Sequence, residues 1–509
     1  MEPSDSVVPT VSGQVRGASI GAVRAWKGIP YGAPPTGERR WSASTPHSGW
    51  SGVLDATDFG PAAPQPLDPT IVIGGVVSEE CLTINVWSPR STITSRAPVM
   101  VWLHGGAYMY GSSREPLFDG ARLAANAGVI VVTVNYRLGA LGFLDLSGAP
   151  GAHGVSPNPG ISDVMLALRW VHDNIAAFGG DPDRVTIFGE SAGGGLVTTL
   201  LTVPSARGLF HRAVAQSSPV SSVYDRERAG RVAARFLDEL GVTTVAEARR
   251  APIDRIVQAA AALYTAIPTE APGTLAFAPV VDGDLIPEHP TDVLREGRAA
   301  AVPLLIGTNR DEAAIFRYWD SPLLPITTDG VERMLEDMRR DEPDVAFPSN
   351  AQVLDVYEGI RRRSVGLGIT RDIAFRMPSI WAAEGQCTVA PVWLYRFDFA
   401  TPMLEVLHLG ATHAMELPYV WSNFDTMPKD PTFRLGGRRR AQRVSHRMQS
   451  RWAAFAHGNP PDGPDGSSAW PAYELEHRST LVIDAADRSV EDLDRDLRSG
   501  WGDHVLSFR

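Results

Sequence analysis

The stretch that decides the reading runs Val185-Thr186-Ile187-Phe188-Gly189-Glu190-Ser191-Ala192-Gly193-Gly194-Gly195-Leu196-Val197. Four β-formers stop abruptly at Gly189, and the apolar pattern resumes at Leu196 and Val197 after a run of small residues. In a G-x-S-x-G sequence the serine can sit on a sharp strand-to-helix turn with its Oγ pushed clear of the sheet. Glycines two residues to either side then keep a Cβ out of neighbouring backbone. The competing reading is a glycine-rich turn whose serine merely caps a helix. Taken alone, the pentapeptide favours this second reading, because a chain rich in Gly, Ser and Ala matches the pattern easily by chance. The chemical reading requires a base, an acid and a set of oxyanion donors elsewhere.

Composition sets the bounds. At 509 residues the chain has room for a large buried core. No window offers the roughly 20 consecutive apolar residues of a membrane helix; the longest apolar run, Ala127 to Val134, is about a strand's length. The N-terminal stretch MEPSDSVVPTVSG has neither a basic n-region nor an apolar h-region, so no secretory signal is expected. The net charge of −11 is spread along the chain, which argues against nucleic acid as a partner. Arg438 to Arg451 is a basic run in which Ala441, Val444, Met448, Trp452 and Phe455 recur at helical spacing. It predicts an amphipathic helix with a solvated basic face. Two distant cysteines, Cys81 and Cys387, fit a reducing compartment, and a cytoplasmic location is expected.

From about residue 98, short apolar runs alternate with helical windows. Val99–Leu103, Val129–Val134, Val185–Phe188, Ala213–Ala215, Leu304–Ile306, Val392–Phe397 and Leu481–Ile483 lack polar alternation, as strands buried on both faces do. Ile161 to Ala177 is a helical window with Val164, Leu168, Val171 and Ile175 on one face. The alternation predicts a doubly wound, mostly parallel α/β sheet, with ligands at the C-terminal strand ends. No linker or repeat divides the chain, so residues 1–509 are expected to form a single catalytic domain. Its segment from about 225 to 380 is mostly helical, a lid or wall over the sheet's end.

In such sheets the chain order is nucleophile, acid, base, and a glycine-rich oxyanion loop precedes the nucleophile. PVMVWLHGGAYMYGSS fits that loop, with the N–H groups of Gly106, Ala107 and Ala192 as candidate donors. VPLLIGTNRDEAAIF ends a strand at Ile306 and presents both Asp311 and Glu312 as candidate acids. Candidate bases are His408, His413, His446, His457, His477 and His504. His413 sits in a loop, LGATHAMELPYVW, after a late strand. His413 and Glu416 also form an H-x-x-E pair, but a metal site needs a further ligand, so no metal is assigned.

Taken together, WKGIPYGAPPTGERRW, SEECLTINVWSP, VWLHGGAYMYGS, VNYRLGALGFL, NPGISDVMLALRWVHDNIAAFGGDPDRVTIFGESAGG, FAPVVDGDLIP, IGTNRDEAAIF, ATHAMELPYVW and AHGNPP resemble the type-B carboxylesterase/lipase family. The resemblance implies an α/β-hydrolase fold and a serine hydrolase of small-molecule carboxylic esters, with no cofactor. It implies Ser191 as nucleophile, Glu312 as acid, His413 as base, and Glu190 and Ser217 as supporting residues. It also implies buried ion-pair positions at Arg40, Glu79, Arg137 and Asp163. Tyr108, Tyr110, Phe277, Phe316, Tyr318 and Trp319 lie near the motif segments and are candidate pocket residues. Secreted members bridge a cysteine in CPQ to one in EDCL; here the first position is Ala63, so that disulfide cannot form. The loop Pro64 to Glu80 has no tryptophan to hold a choline ammonium, which leaves neutral alkyl or aryl esters as the expected substrates. The G-G-A loop implies room near the carbonyl for tertiary-alcohol esters. Specialisation for a carbamate, an amide or a lactone is the alternative within the fold, and a non-catalytic binding protein the alternative outside it.

Overall fold

The computed structural model describes the chain apart from residues 1–5, 68–72, 91–95, 319–322, 326, 344–356, 358–361, 427–429, 465, 503–505 and 507–509. The expected runs of β-branched residues form strands. In chain order the strands are β1 (Val7–Thr10), β2 (Gly13–Arg16), β3 (Ala18–Ile20), β4 (Val23–Pro30), β5 (Val53–Asp55), β6 (Thr83–Pro89) and β7 (Ala97–Leu103). They continue with β8 (Ile130–Val134), β9 (Gly180–Glu190), β10 (Arg212–Gln216), β11 (Leu304–Asn309), β12 (Val392–Phe397), β13 (Thr480–Ile483) and β14 (Arg488–Val490). β1, β2 and β5 make a small sheet, and the other strands form a large one in the order β14-β13-β12-β11-β10-β9-β7-β8-β6-β4-β3.

β7 to β13 are mutually parallel, and β6, β4 and β3 at one edge and β14 at the other are antiparallel to their neighbours. The sequence reading found every parallel strand. It missed β3, β4 and β6, the antiparallel flank. The chain leaves β7 for β8 on one side and returns to β9 on the other, so the strand order reverses at β7. That reversal opens the crevice at which doubly wound sheets bind ligands.

Alternate residues of each strand feed opposite faces. Val99, Val101 and Leu103 join one apolar cluster with Ile187 and Ile306, while Met100 and Trp102 join a second with Phe188, Leu305 and Trp421. The helix Pro159–Asn174 continues as a 3₁₀ turn, Ile175–Phe178, and covers the first face. The helices Arg226–Leu240, Val245–Arg250 and Ile253–Glu270 occupy the first part of the segment from about 225 to 380.

The basic helix runs from Arg438 to His457, and Ala441, Val444, Met448, Trp452 and Phe455 are all buried on its inner face. One part of the expectation is corrected. Arg451 does not lie on a solvated face: it is fully buried, bonded to Pro461 O, Ser468 O and Asp487. Its position three residues after Met448 puts it on the buried side of the helix.

Arg137 and Asp163 form a fully buried bidentate pair at 2.8 and 2.7 Å, and Arg137 also donates to Ser42 O and Pro159 O. Arg40 grips Glu79 at 2.6 and 2.7 Å. Removing one partner of a buried pair leaves an uncompensated charge, whereas replacing both by apolar groups is far milder. Asp163→Asn is therefore expected to lower the unfolding free energy by about 3–5 kcal/mol in urea titrations. Arg137→Met combined with Asp163→Leu is expected to recover most of that loss.

Candidate active site

β9 ends at Glu190 and the helix Ala192–Thr202 begins at once, with Ser191 between them at φ 55°, ψ −126°. That main-chain region favours glycine, so a serine held there marks a constrained turn. The Ser191 N–H donates to Gln216 O at 3.0 Å, and its carbonyl accepts from Gly195 N–H at 2.8 Å. The glycines on either side are obligatory. A Cβ on Gly193 would fall 2.0 Å from Leu103 O, and one on Gly189 2.5 Å from Gly193 C. The serine side chain makes no capping bond to the helix. The capping alternative left by the sequence is thereby removed.

The next parallel strands deliver the remaining groups to the same edge. Glu312 follows β11 and is fully buried. Its Oε1 accepts from Ser217 Oγ at 2.5 Å and from Asn309 N–H at 2.7 Å, and its Oε2 lies 2.6 Å from His413 Nδ1. Asp311 turns the other way, accepting from Ala411 N–H and Arg310 Nε. Of the two candidate acids, it is Glu312 that the structure brings against His413. His408, His446 and His477 are exposed, and His457 bonds Ala127 O. His504 and Trp319 lie outside the described residues.

His413 Nε2 lies 3.2 Å from Glu190 Oε1, an electrostatic approach rather than a directed hydrogen bond. Among the described residues no hydrogen bond joins His413 to Ser191 Oγ. Burial works against a charged imidazole, but the carboxylates of Glu190 and Glu312 outweigh it and raise the His413 pKa to about 9. Burial also pushes Glu190 up to about 8, against the pull of His413.

The three candidate donors share one device. A trans peptide holds its N–H opposite its C=O. Gly105 O is met by His104 Nδ1 at 2.9 Å, Gly106 O accepts from Met109 and Tyr110 N–H, and Ser191 O accepts from Gly195 N–H. Each of these carbonyls belongs to the peptide that carries a donor: Gly106, Ala107 and Ala192 in turn. The loop lies directly on the elbow, since a Cβ on Gly105 would be 2.9 Å from Glu190 O and 3.2 Å from Ser191 Cβ. Ala107 takes φ 51°, where glycine is easier, and Tyr108 takes φ 57°.

The expected pocket residues divide. Phe316 stands 5.8 Å from the His413 ring, and Tyr110 is half-buried, edge-on to Tyr264. Tyr108 is corrected to core: it is 1% exposed, packed on Phe143 and against Gly195. Phe277, also 1% exposed, is core for the same reason. Tyr318 is 58% exposed and donates to Leu407 O on the surface.

Phe375 escaped the sequence reading, and Glu416 entered it only as half of an H-x-x-E pair. The Phe375 ring lies tilted against His413, centroids 4.7 Å apart, and clusters with Phe316 and Leu324. It sits in a π-helical turn, Asp372–Arg376, whose extra residue breaks the periodicity that would have flagged it. Glu416 is a buried carboxylate bonded to Gln216 Nε2 and Asn309 Nδ2 at 2.9 and 2.6 Å. Its spacing from His413 was visible, but its amide partners come from two distant strands.

Residues 4–498 match the model of the carboxylesterase family. The chain belongs to that family. It is 39% identical to the para-nitrobenzyl esterase of Bacillus subtilis over 94% of this chain and 95% of that one. It is 32% identical to the phenmedipham hydrolase of Pseudarthrobacter oxydans, covering 94% of each. Among solved structures, a PNB esterase superposes with a TM-score of 0.85 at 37% identity, over 98% of this chain and 100% of that one. The protein is a serine carboxylic ester hydrolase with the α/β-hydrolase fold.

Gly193→Ala sets backbone against backbone at the elbow. It is expected to abolish labelling of the protein by a fluorophosphonate probe and to lower the melting temperature. A variant that labels at the wild-type rate would show that the turn has slack.

Proposed function

We propose that Ser191 is the nucleophile of this hydrolase, with His413 as general base and Glu312 as the acid that orients it. The observation that carries this is the chain of contacts running from Ser217 and Asn309 through Glu312 to His413, beside a serine held at φ 55°. His413 takes the proton as Ser191 Oγ attacks the ester carbonyl, and Glu312 stabilises the imidazolium. The N–H groups of Gly106, Ala107 and Ala192 receive the oxyanion, each contributing about 3 kcal/mol in the transition state. His413 then protonates the leaving alkoxide, and water activated by the same histidine releases the acid.

The substrates are neutral alkyl or aryl esters of small size. Glu190, Glu312 and Glu416 are three buried carboxyl groups within electrostatic reach of one imidazole, so that ring's charge already has partners within the protein. Phe316 and Phe375 provide an apolar wall at the base. Esters of tertiary alcohols belong to the same proposal, because Ala107 adds only a methyl to the oxyanion loop. The two free cysteines support a reducing compartment as the working environment.

Ser191→Ala is expected to lower kcat on p-nitrophenyl butyrate by about 10⁴–10⁶-fold, in line with the loss of other serine nucleophiles. Equal rates in the two proteins would remove Ser191 from the reaction.

A pH profile tests the base. With His413 raised to about 9, the acidic limb of kcat/KM is expected well above the ordinary histidine value, activity rising as the imidazole loses its proton. Glu190→Gln removes an anion that favours the imidazolium, so the pKa falls and the limb moves to lower pH. A limb that stays in place would show that another group controls it.

A further inference from the structure

The oxyanion loop has an anchor that lies outside the catalytic constellation. Gln65 comes from the segment before β6 and is only 8% exposed. Its Nε2 donates to Gly111 O at 2.9 Å and to Ala63 O at 3.0 Å, and its Oε1 accepts from Gly111 N–H at 2.9 Å. One primary amide therefore satisfies both backbone groups of the residue that closes the loop. Such a two-point bond fixes orientation as well as position.

Gly111 is where a displacement would be felt. It takes φ 103°, and a Cβ on it would fall 2.6 Å from His104 Nδ1 and 2.7 Å from Gly105 O. Its backbone thus lies directly against the ring and the carbonyl whose contact fixes the Gly105–Gly106 peptide plane. The His104 ring has no freedom on its other side, since it stacks on Tyr136 with centroids 4.5 Å apart and planes 14° apart. Burial lowers the His104 pKa to about 4, so the ring is neutral, and the tautomer that bonds a carbonyl is the one protonated at Nδ1. The residues after Gly111 are held independently, Ser112 N–H by Glu115 and Ser113 N–H by Asn135.

We propose that Gln65 is a positioning residue for ester hydrolysis, its amide holding Gly111 against His104 so that the Gly106 N–H keeps its direction toward the developing oxyanion. This rests on the assignment of Gly106 and Ala107 as donors to a carbonyl attacked by Ser191. A backbone donor moved by about 1 Å loses much of its value in the transition state and little in substrate binding. The signature is therefore a loss in kcat rather than in KM.

The test compares wild type, Gln65→Met, Gln65→Glu and Ser191→Ala on p-nitrophenyl butyrate. The preparations that retain Ser191 are normalised to active sites by fluorophosphonate titration, and Ser191→Ala to protein concentration. Inhibition by an aryl trifluoromethyl ketone, whose hemiketal oxygen occupies the oxyanion position, is measured in parallel. Gln65→Met is expected to lose about 10–100-fold in kcat with KM within about threefold. Affinity for the ketone is expected to fall by the same factor as kcat/KM. Gln65→Glu keeps an acceptor for Gly111 N–H but loses both donated bonds, and is expected to fall between the two. If Gln65→Met gives no folded protein, the same ratios in Gln65→Glu decide. Wild-type kcat and ketone affinity in the normalised variant would overturn the proposal, as would a loss confined to KM or to the number of active sites. Full activity in Ser191→Ala would instead overturn the assignment of the nucleophile, so the two failures are distinguishable.

Discussion

The main chain at Ser191 is the constraint on which the rest of the structure depends. Holding a serine at φ 55°, ψ −126° costs about 1–3 kcal/mol, and the turn persists only because its surroundings over-determine it. Those surroundings are the sheet itself. Leu103 pairs with Gly189 across β7 and β9, and Gln216 pairs with Glu190 across β9 and β10. The Leu103 carbonyl fills the space where a side chain at Gly193 would stand, and the Gln216 carbonyl takes the Ser191 N–H. A parallel sheet delivers consecutive strand ends to one edge, so Ser191, the loop at Gly105–Ala107 and Glu312 arrive together without a dedicated scaffold.

Around that edge the charge balance is unusual. Three buried glutamates face one histidine, and each is restrained by a different kind of group. Glu312 is held by a hydroxyl, a backbone N–H and the imidazole. Glu416 is held by two side-chain amides, one of which, Gln216, also accepts from Trp452 Nε1. Among the described residues, Glu190 has the approach of His413 Nε2 and no hydrogen bond to Oε1. Amides supply donors without adding charge, so they fix a carboxylate and leave the imidazole as the partner that feels it.

Much of this was legible in the sequence, and the reasons for the exceptions are physical. Strands buried on both faces are continuous apolar runs, so β7 to β13 announced themselves. The antiparallel strands β4 and β6 did not, because Val23–Pro30 carries Arg24 and Lys27, and Thr83–Pro89 mixes Thr83, Asn85 and Ser88 with its apolar residues. Glycine spacing gave the elbow and the loop, since both depend on which positions tolerate a Cβ. Choosing Glu312 over Asp311 from residues alone was not open, because one residue of register decides which side chain turns toward β12. Pocket residues were the least legible. An aromatic next to a motif is as often packed beneath it as beside it, and Tyr108 went under while Phe375 came from a π-turn far along the chain.

The peptide planes of the oxyanion loop carry a consequence for substitution. The groups expected to stabilise charge belong to the backbone, and their direction is set by neighbouring carbonyls rather than by side chains at the same positions. Substitution at Ala107 changes a methyl and leaves the N–H. The aromatic wall formed by Phe316 and Phe375 has no such insulation, since every replacement there reshapes the space beside His413. The chemistry and the selectivity proposed above thus fall on separate parts of the chain. A side-chain change at that wall can alter the space offered to an ester while the backbone directions in the loop stay as they are.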